Sequence, residues 1–295
     1  MSAEVAVVIA GFGQMGHAMQ SLLRGRAALQ IWEISPEQPE LPDGIRRAAP
    51  QADFLFICVP TLAHAAVLTP MVHLLRAEAA TLSIAKGLDD AGRCAAEILL
   101  TALRTRPWGV LGGPMIANEL VAGKSGYAEL GTLDGTLMGR VRRLFPDRLV
   151  LEPNRNPQAV SWCGVLKNVY APLVGICDGL GWGDNARGHI VMAAMRETQT
   201  ILVRFAGTGA DALGDAGLAD FVTTVTSPSS HHYALGRRLA LGDIANLECE
   251  GVHSLRIMRD QGRLPGSDCP LFALSLHIVQ DPHAVPSRLH DWLLG

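Results

Sequence analysis

The residues best suited to chemistry begin a few positions into the chain. An unbroken apolar run, Val5-Ala6-Val7-Val8-Ile9-Ala10, feeds directly into Gly11-Phe12-Gly13-Gln14-Met15-Gly16. The spacing is G-x-G-x-x-G. Gly11 permits a tight turn, Gly13 lets a pyrophosphate approach the backbone, and Gly16 allows a helix to pack closely on a strand, with the anion at the helix N-terminus. A glycine-rich turn that binds nothing can carry the same letters, so the motif needs an acid about twenty residues on. Glu33 supplies it, 22 residues after Gly11, closing a second apolar run, Gln30-Ile31-Trp32-Glu33. Its carboxylate can accept from both ribose hydroxyls and repels a 2′-phosphate; a solvated glutamate at a strand end is the plainer reading. The two signals together put NAD first and NADP second. Flavin lacks any second signal.

Of the 25 Lys and Arg residues, only Lys86, Lys124 and Lys167 are lysines. Lysine can do what arginine cannot: shift its pKa and exchange a proton. Lys86, in Ala85-Lys86-Gly87, follows a predicted strand at the edge where open α/β sheets bind ligands. Lys167, in Gly164-Val165-Leu166-Lys167-Asn168, lies in an apolar helical stretch, where it needs a partner. A salt-bridged or snorkelling lysine accounts for either position equally well. Lys124, in Ala122-Gly123-Lys124-Ser125, reads as a surface loop residue.

The elements that must position these residues have two textures. Apolar runs at 5–10, 29–34, 54–59, 81–85 and 109–111 alternate with helix-compatible segments, which implies βαβ units and a mostly parallel sheet covered on both faces. Segments 127–130 and 149–151 add final strands. Beyond about residue 155 strand signals nearly vanish, and helices are predicted over 158–177, 185–205, 233–240, 252–259 and 271–279. The expectation is an α/β domain over residues 1–153 and an all-α domain over 154–295, consistent with a chain of 295 residues. A composition 48% hydrophobic and 18% charged supports a sizeable core, and a net charge of −3 argues against a general binder of nucleic acid or membrane surface. Residues 54–75 hold no Asp, Glu, Lys or Arg, but Pro60, His64, Pro70 and His73 interrupt them, so a buried strand, turn and helix is expected rather than a membrane span. Six scattered cysteines without CxxC or metal-ligand spacing predict free thiols in a reducing cytoplasmic setting. An early Glu4 without a basic leader region argues against a signal peptide.

Further segments stand in order along most of the chain: Val59-Pro60, Ala85-Lys86-Gly87-Leu88, Gly113-Pro114-Met115-Ile116-Ala117-Asn118-Glu119, Leu166-Lys167-Asn168-Val169-Tyr170-Ala171, Asp178-Gly179-Leu180-Gly181-Trp182-Gly183-Asp184-Asn185, Gly217-Leu218-Ala219-Asp220 with Thr223-Thr224, and Glu250-Gly251-Val252. With the glycine loop, they make the chain resemble the NAD(P)-dependent glycerol-3-phosphate dehydrogenases. Many dehydrogenases share the loop; the Lys-Asn and Gly-Asp-Asn segments are far more specific. The resemblance implies a Rossmann-like N-terminal domain, a helical C-terminal domain, an active site between them, and a homodimer acting on a small polar, phosphorylated molecule. It implies Lys167 as catalytic acid/base, Lys86, Asp220 and Thr224 around the reacting substrate, and Asn168 holding that substrate. Phe12, Gln14, Met15 and Pro60 would join the glycines on the cofactor, with Glu250 near its nicotinamide end. The chemistry is coherent, because hydride delivery to a ketone builds negative charge on oxygen, which an ammonium can stabilise and then protonate. A carboxylate at Asp220 favours the charged lysine, while a second cation at Lys86 opposes it.

The resemblance breaks at one place. The family's Arg-Asn pair, which grips the substrate phosphate, falls at His231-His232 when counted from Asp220, just after Ser227-Pro228-Ser229-Ser230. Arginine's bidentate fork is missing there. The pair could bind phosphate as histidinium, serve a different polar substrate, start a helix without any ligand, or hold a metal; no second ligand cluster supports a metal, and none is assigned. Arg187, Arg237 or Arg238 could replace the missing arginine in space. The expected reaction is NAD-dependent interconversion of glycerol 3-phosphate and dihydroxyacetone phosphate. Its rivals are a dehydrogenase for a related unphosphorylated or differently charged hydroxy compound, and a non-catalytic NAD(H) redox sensor. A 3-hydroxyacid dehydrogenase fits less well, since that pattern wants Asn four residues after the lysine, where Ala171 stands.

Overall fold

The computed structural model describes residues 4–34 and 41–295. The first half runs β1 (Ala6–Ala10), α1 (Gln14–Leu23), β2 (Ala28–Trp32), α2 (Asp43–Ala48), β3 (Phe54–Ile57), α3 (His64–Met71), β4 (Ala80–Ser83), α4 (Ala95–Leu103), β5 (Trp108–Gly112), α5 (Ala117–Val121), β6 (Gly126–Gly131), α6 (Leu137–Leu144) and β7 (Leu149–Asn154). Helices follow: α7 (Pro157–Gly179), α8 (Asp184–Ala206), a π-helical turn (Asp215–Ala219), α9 (Asp220–Thr226), α10 (His231–Ala240), α11 (Glu250–Asp260), α12 (Pro270–Gln280) and α13 (Val285–Leu294). Residues 1–3, part of the segment read for a leader, lie outside the described residues.

The strands form one sheet in the order β2-β1-β3-β4-β5-β6-β7. Neighbours are parallel except β5 and β6, so the last two strands run against the others. Strands β3, β4 and β5 are buried at every residue, which is why they read as continuous apolar runs rather than alternating ones. From β1 the chain steps outward to β2, then back past β1 to β3. That reversal opens a crevice at the C-terminal ends of β1 and β3, the place where such sheets bind ligands. The Rossmann-like α/β region followed by helices is the architecture expected from the sequence.

Segment 54–75 is a strand, a short 3₁₀ turn (Thr61–Ala63) and a helix, again as expected. Strand β2 ends earlier than predicted, at Trp32, leaving Glu33 just beyond it. Helices α9 and α13 are additions to the predicted set. Among the described helices, α7 is long and apolar enough to cross a membrane, yet 94% of its apolar window is buried inside the molecule. It is the central post of the helical half, with Trp162 and Tyr170 fully buried and α8, α10 and α11 packed around it. Truncating such an aromatic to alanine costs about 3–5 kcal/mol, which makes α7 a stiff mount for the lysine it carries.

Candidate active site

The cofactor end is built from backbone. Gly11 has φ +93°, a left-handed value, and a Cβ there would stand 2.9 Å from the backbone of Cys58 and Val59. Its N–H donates to Trp32 O at 2.8 Å, tying the turn to the end of β2. A Cβ at Gly16 would overlap Gly11 O, so α1 can close on its own turn only with glycine there. Gly13, the N-cap of α1, is exposed and has open space where a Cβ would project. The first-turn N–H groups of α1 have no side-chain cap, which leaves them for an anion. Phe12 packs against His17 with ring centroids 3.9 Å apart, and Glu33 is exposed directly beyond β2.

A hollow of about 390 Å³ continues from this loop, lined by Gln14, Met15, Pro60, Ala85, Lys86 and Glu250 among others. Its walls are the loops that follow β3 and β4, and a buried histidine locks them together. His64 Nδ1 donates to Pro60 O at 3.2 Å, and Nε2 accepts from Ser83 Oγ at 2.8 Å. Ser83 Oγ accepts in turn from Ala85 N–H. Burial holds His64 down to about 4, so this latch stays neutral.

The adjoining cleft, about 500 Å³, lies where the sheet edge meets the helices. Asp220, the first residue of α9, bridges the two lysines across it: Oδ2 is 2.7 Å from Lys86 Nζ and Oδ1 is 3.3 Å from Lys167 Nζ. Lys86 also donates to Gly113 O at 3.1 Å. Lys167 donates to Thr224 Oγ1 at 2.7 Å, and that hydroxyl donates to Asp220 O. Asn168 Nδ2 donates to Lys86 O at 3.0 Å, while its buried Oδ1 has no partner among the described residues. Opposing influences act on Lys167. Burial lowers its pKa most, Asp220 raises it, Lys86 lowers it again, and the outcome is about 8. Relative to an ordinary lysine at about 10.4, that is roughly 3 kcal/mol of preference for the neutral amine. Glu250, at the start of α11, is pushed up by burial and held back by both lysines.

The histidines part company. His232 Nε2 accepts Gly251 N–H at 3.2 Å, so its ring proton sits on Nδ1. Burial first, then the charges of Lys167, His231 and Lys86, lower it to about 3. As a cation for phosphate, His232 is therefore ruled out by its surroundings. The junction is tight: Pro172 lacks the N–H that would pair with Asn168 O in α7, and a Cβ at Gly251 would overlap that carbonyl. His231, by contrast, is exposed at the start of α10 and lines the cleft with Ser227, Ser229 and Ser230. Arg187, Arg237 and Arg238 do not line it. Arg187 is spent on Asp178 and Asp184, Arg238 on Asp243, and Arg237 sits in the last turn of α10. The Gly113 carbonyl went unnoticed in the sequence, although Gly112-Gly113-Pro114 marks a turn there.

The family model described as the C-terminus of NAD-dependent glycerol-3-phosphate dehydrogenase matches residues 156–287, and the one for its N-terminus matches residues 35–132. The glycine loop precedes the matched region. A glycerol-3-phosphate dehydrogenase [NAD(P)+] of Synechococcus elongatus is 30% identical over 290 residues, covering 95% of this chain and 92% of that protein. One from Alcanivorax borkumensis is 28% identical over 317 residues, covering 95% and 91%. The fold matches a glycerol-3-phosphate dehydrogenase structure from Coxiella burnetii at TM-score 0.87 and 23% identity, over 98% of this chain and 99% of that one. A 3-hydroxyisobutyrate dehydrogenase from Mycobacterium tuberculosis aligns at TM-score 0.55 and 12% identity, over 98% and 99%. The chain belongs to the NAD-dependent glycerol-3-phosphate dehydrogenase family.

Proposed function

We propose that this chain interconverts glycerol 3-phosphate and dihydroxyacetone phosphate with NAD as its cofactor. The observation that carries the reading is the Lys86–Asp220–Lys167 cluster, with Thr224 beside it, set where the hollow from the glycine loop opens into the cleft. Residues 1–153 are the dinucleotide-binding region, with Lys86 reaching the substrate, and 154–295 the substrate and catalytic region, with Glu250 reaching the cofactor. The open Gly13 and the uncapped start of α1 suit a pyrophosphate, and the exposed Glu33 suits an adenosine ribose without a 2′-phosphate. Pro60 and Glu250 would flank the nicotinamide end of a nucleotide held there, whose chemistry would be to supply or take up the hydride.

The chain's own residues manage charge and the proton. As an ammonium, Lys167 stabilises the oxygen that gains charge during ketone reduction and gives it a proton from Nζ. As a neutral amine it takes the alcohol proton in reverse. Lys86 adds positive potential, Asp220 holds both lysines in place, and Asn168, which lines the cleft beside them, helps hold the substrate. The phosphate lies toward His231 and the serines before it, with His232 offering its neutral Nδ1–H. Ketone reduction should therefore fall, and alcohol oxidation rise, as pH passes through about 8.

The family resemblance also implies a cytoplasmic homodimer, a state that light scattering coupled to size exclusion would read directly. The decisive test is NADH turnover against a panel of small ketones with and without phosphate. Dihydroxyacetone phosphate should be reduced best. Faster reduction of unphosphorylated dihydroxyacetone would overturn the substrate assignment, and NADH binding without reduction of any ketone would leave a redox sensor.

A further inference from the structure

A second polar cluster holds the lysine site from behind. Glu129 on β6 is only 7% exposed, and among the described residues its donors are all uncharged. Oε2 accepts from Asn154 Nδ2 at 2.7 Å, and Oε1 accepts from Ala216 N–H at 3.3 Å, within the π-helical turn. The same Asn154 Nδ2 donates to Asp211 Oδ1 at 2.7 Å, and Asn154 Oδ1 accepts from Asn156 N–H at 2.7 Å. Asn156 is the N-cap of α7, its Oδ1 accepting from Ala159 N–H. A Cβ at Gly214 would overlap Glu129 Oε1, so a side chain there would displace the carboxylate from its present position.

Two elements are thus fastened to one hub at the ends of β6 and β7. One is the start of the helix that carries Lys167; the other is the turn that runs unbroken into Asp220 and Thr224. A buried carboxylate without a cation is costly for stability, so an apolar residue would serve mere packing better. We propose that Glu129 and Asn154 are positioning residues for proton transfer, setting the reach from Asp220 to Lys167. The proposal rests on Lys167 being the acid/base, but its test does not. The charged and titratable groups facing Lys167 are Asp220 of α9, Lys86 after β4, Glu250 of α11 and His232 of α10. Of these, Asp220 is the one whose helix the hub holds.

With three lysines in the chain, lysine-selective ¹³C,¹⁵N NMR follows Lys167 in the protein without cofactor or substrate. Glu129→Gln must turn its amide N–H₂ toward either Asn154 Nδ2 or Ala216 N–H, so one anchor is lost. A loosened Asp220 stabilises the ammonium less, and the Lys167 titration midpoint should fall by about 0.5–1 pH unit with Lys124 unmoved. The alkaline limb of ketone reduction should move with it while NADH affinity stays constant. Glu97→Gln is the control: it weakens the α4 capping box and the Arg263 contact, so it should lower Tm without moving Lys167. Should Glu129→Gln fail to fold, Asp211→Ala frees Asn154 on one side and should shift Lys167 the same way, by less. An unmoved Lys167 midpoint in a folded variant of the hub overturns the proposal.

Discussion

At one end, the cleft is made of backbone contiguous in sequence: Gly11, Gly13 and Gly16, the start of α1, and Glu33 one strand later. At the other end it is made of side chains gathered from the loop after β4, from α7, from α9 and from the turn into α10, with Lys86 and Asp220 separated by 134 positions. The first depends on the left-handed turn at Gly11 and on the missing Cβ at Gly16. The second depends on burial and on charges that offset one another, so single side chains there should matter far more to rate than to cofactor binding.

Removing Lys167 should separate the two ends most sharply. Lys167→Ala should lower kcat by roughly 10²–10⁴, the usual range for a positioned acid/base, while NADH affinity, read by fluorescence titration, stays nearly constant. Lys167→Arg should not rescue it, because a guanidinium does not deprotonate at working pH. Near-normal turnover in either variant would take Lys167 out of the mechanism.

A smaller effect should mark the cofactor end alone. Glu33→Ser should relax the preference for NADH over NADPH by roughly 10–100-fold, or about 1.4–2.8 kcal/mol, with the KM for the ketone unchanged. Equal use of both cofactors by the unmodified protein would contradict the role given to Glu33.

The smallest effect is expected at the histidines. His231→Arg should lower the KM for dihydroxyacetone phosphate by about tenfold, since a guanidinium brings the phosphate a permanent charge and a bidentate fork. His232→Asn should change that KM far less, because His232 stays neutral and its Nε2 is taken by Gly251 N–H. No response of that KM to His231→Arg would put His231 outside the substrate site.

The backbone end was legible because a turn, a strand and a following acid are written in consecutive letters. The same holds for β3 to β5, whose unbroken apolar runs follow from burial on both faces. Helix α9 was not legible. Five of its seven residues are β-branched, a poor local case for a helix, and packing against α7 overrides that preference. Nor could spacing reveal that Gly251 N–H takes up His232 Nε2, or that Arg187 and Arg238 are engaged elsewhere. The Glu129–Asn154 hub escaped notice for the same reason. Its partners lie on different strands and a turn, and nothing in Tyr127-Ala128-Glu129-Leu130 marks that glutamate as buried.

The central claim is that this cleft holds a lysine poised near neutrality by burial, against the pull of Asp220. Titrating the three lysines by selective ¹³C,¹⁵N NMR in the unmodified protein tests it most directly. The expected result is one lysine with a midpoint near 8, assigned to Lys167 by its disappearance in Lys167→Ala, with exposed Lys124 as the surface reference in the same spectrum. A Lys167 midpoint at or above that of Lys124 would contradict the account, because the amine would then be no better suited to exchanging a proton than any lysine on the surface.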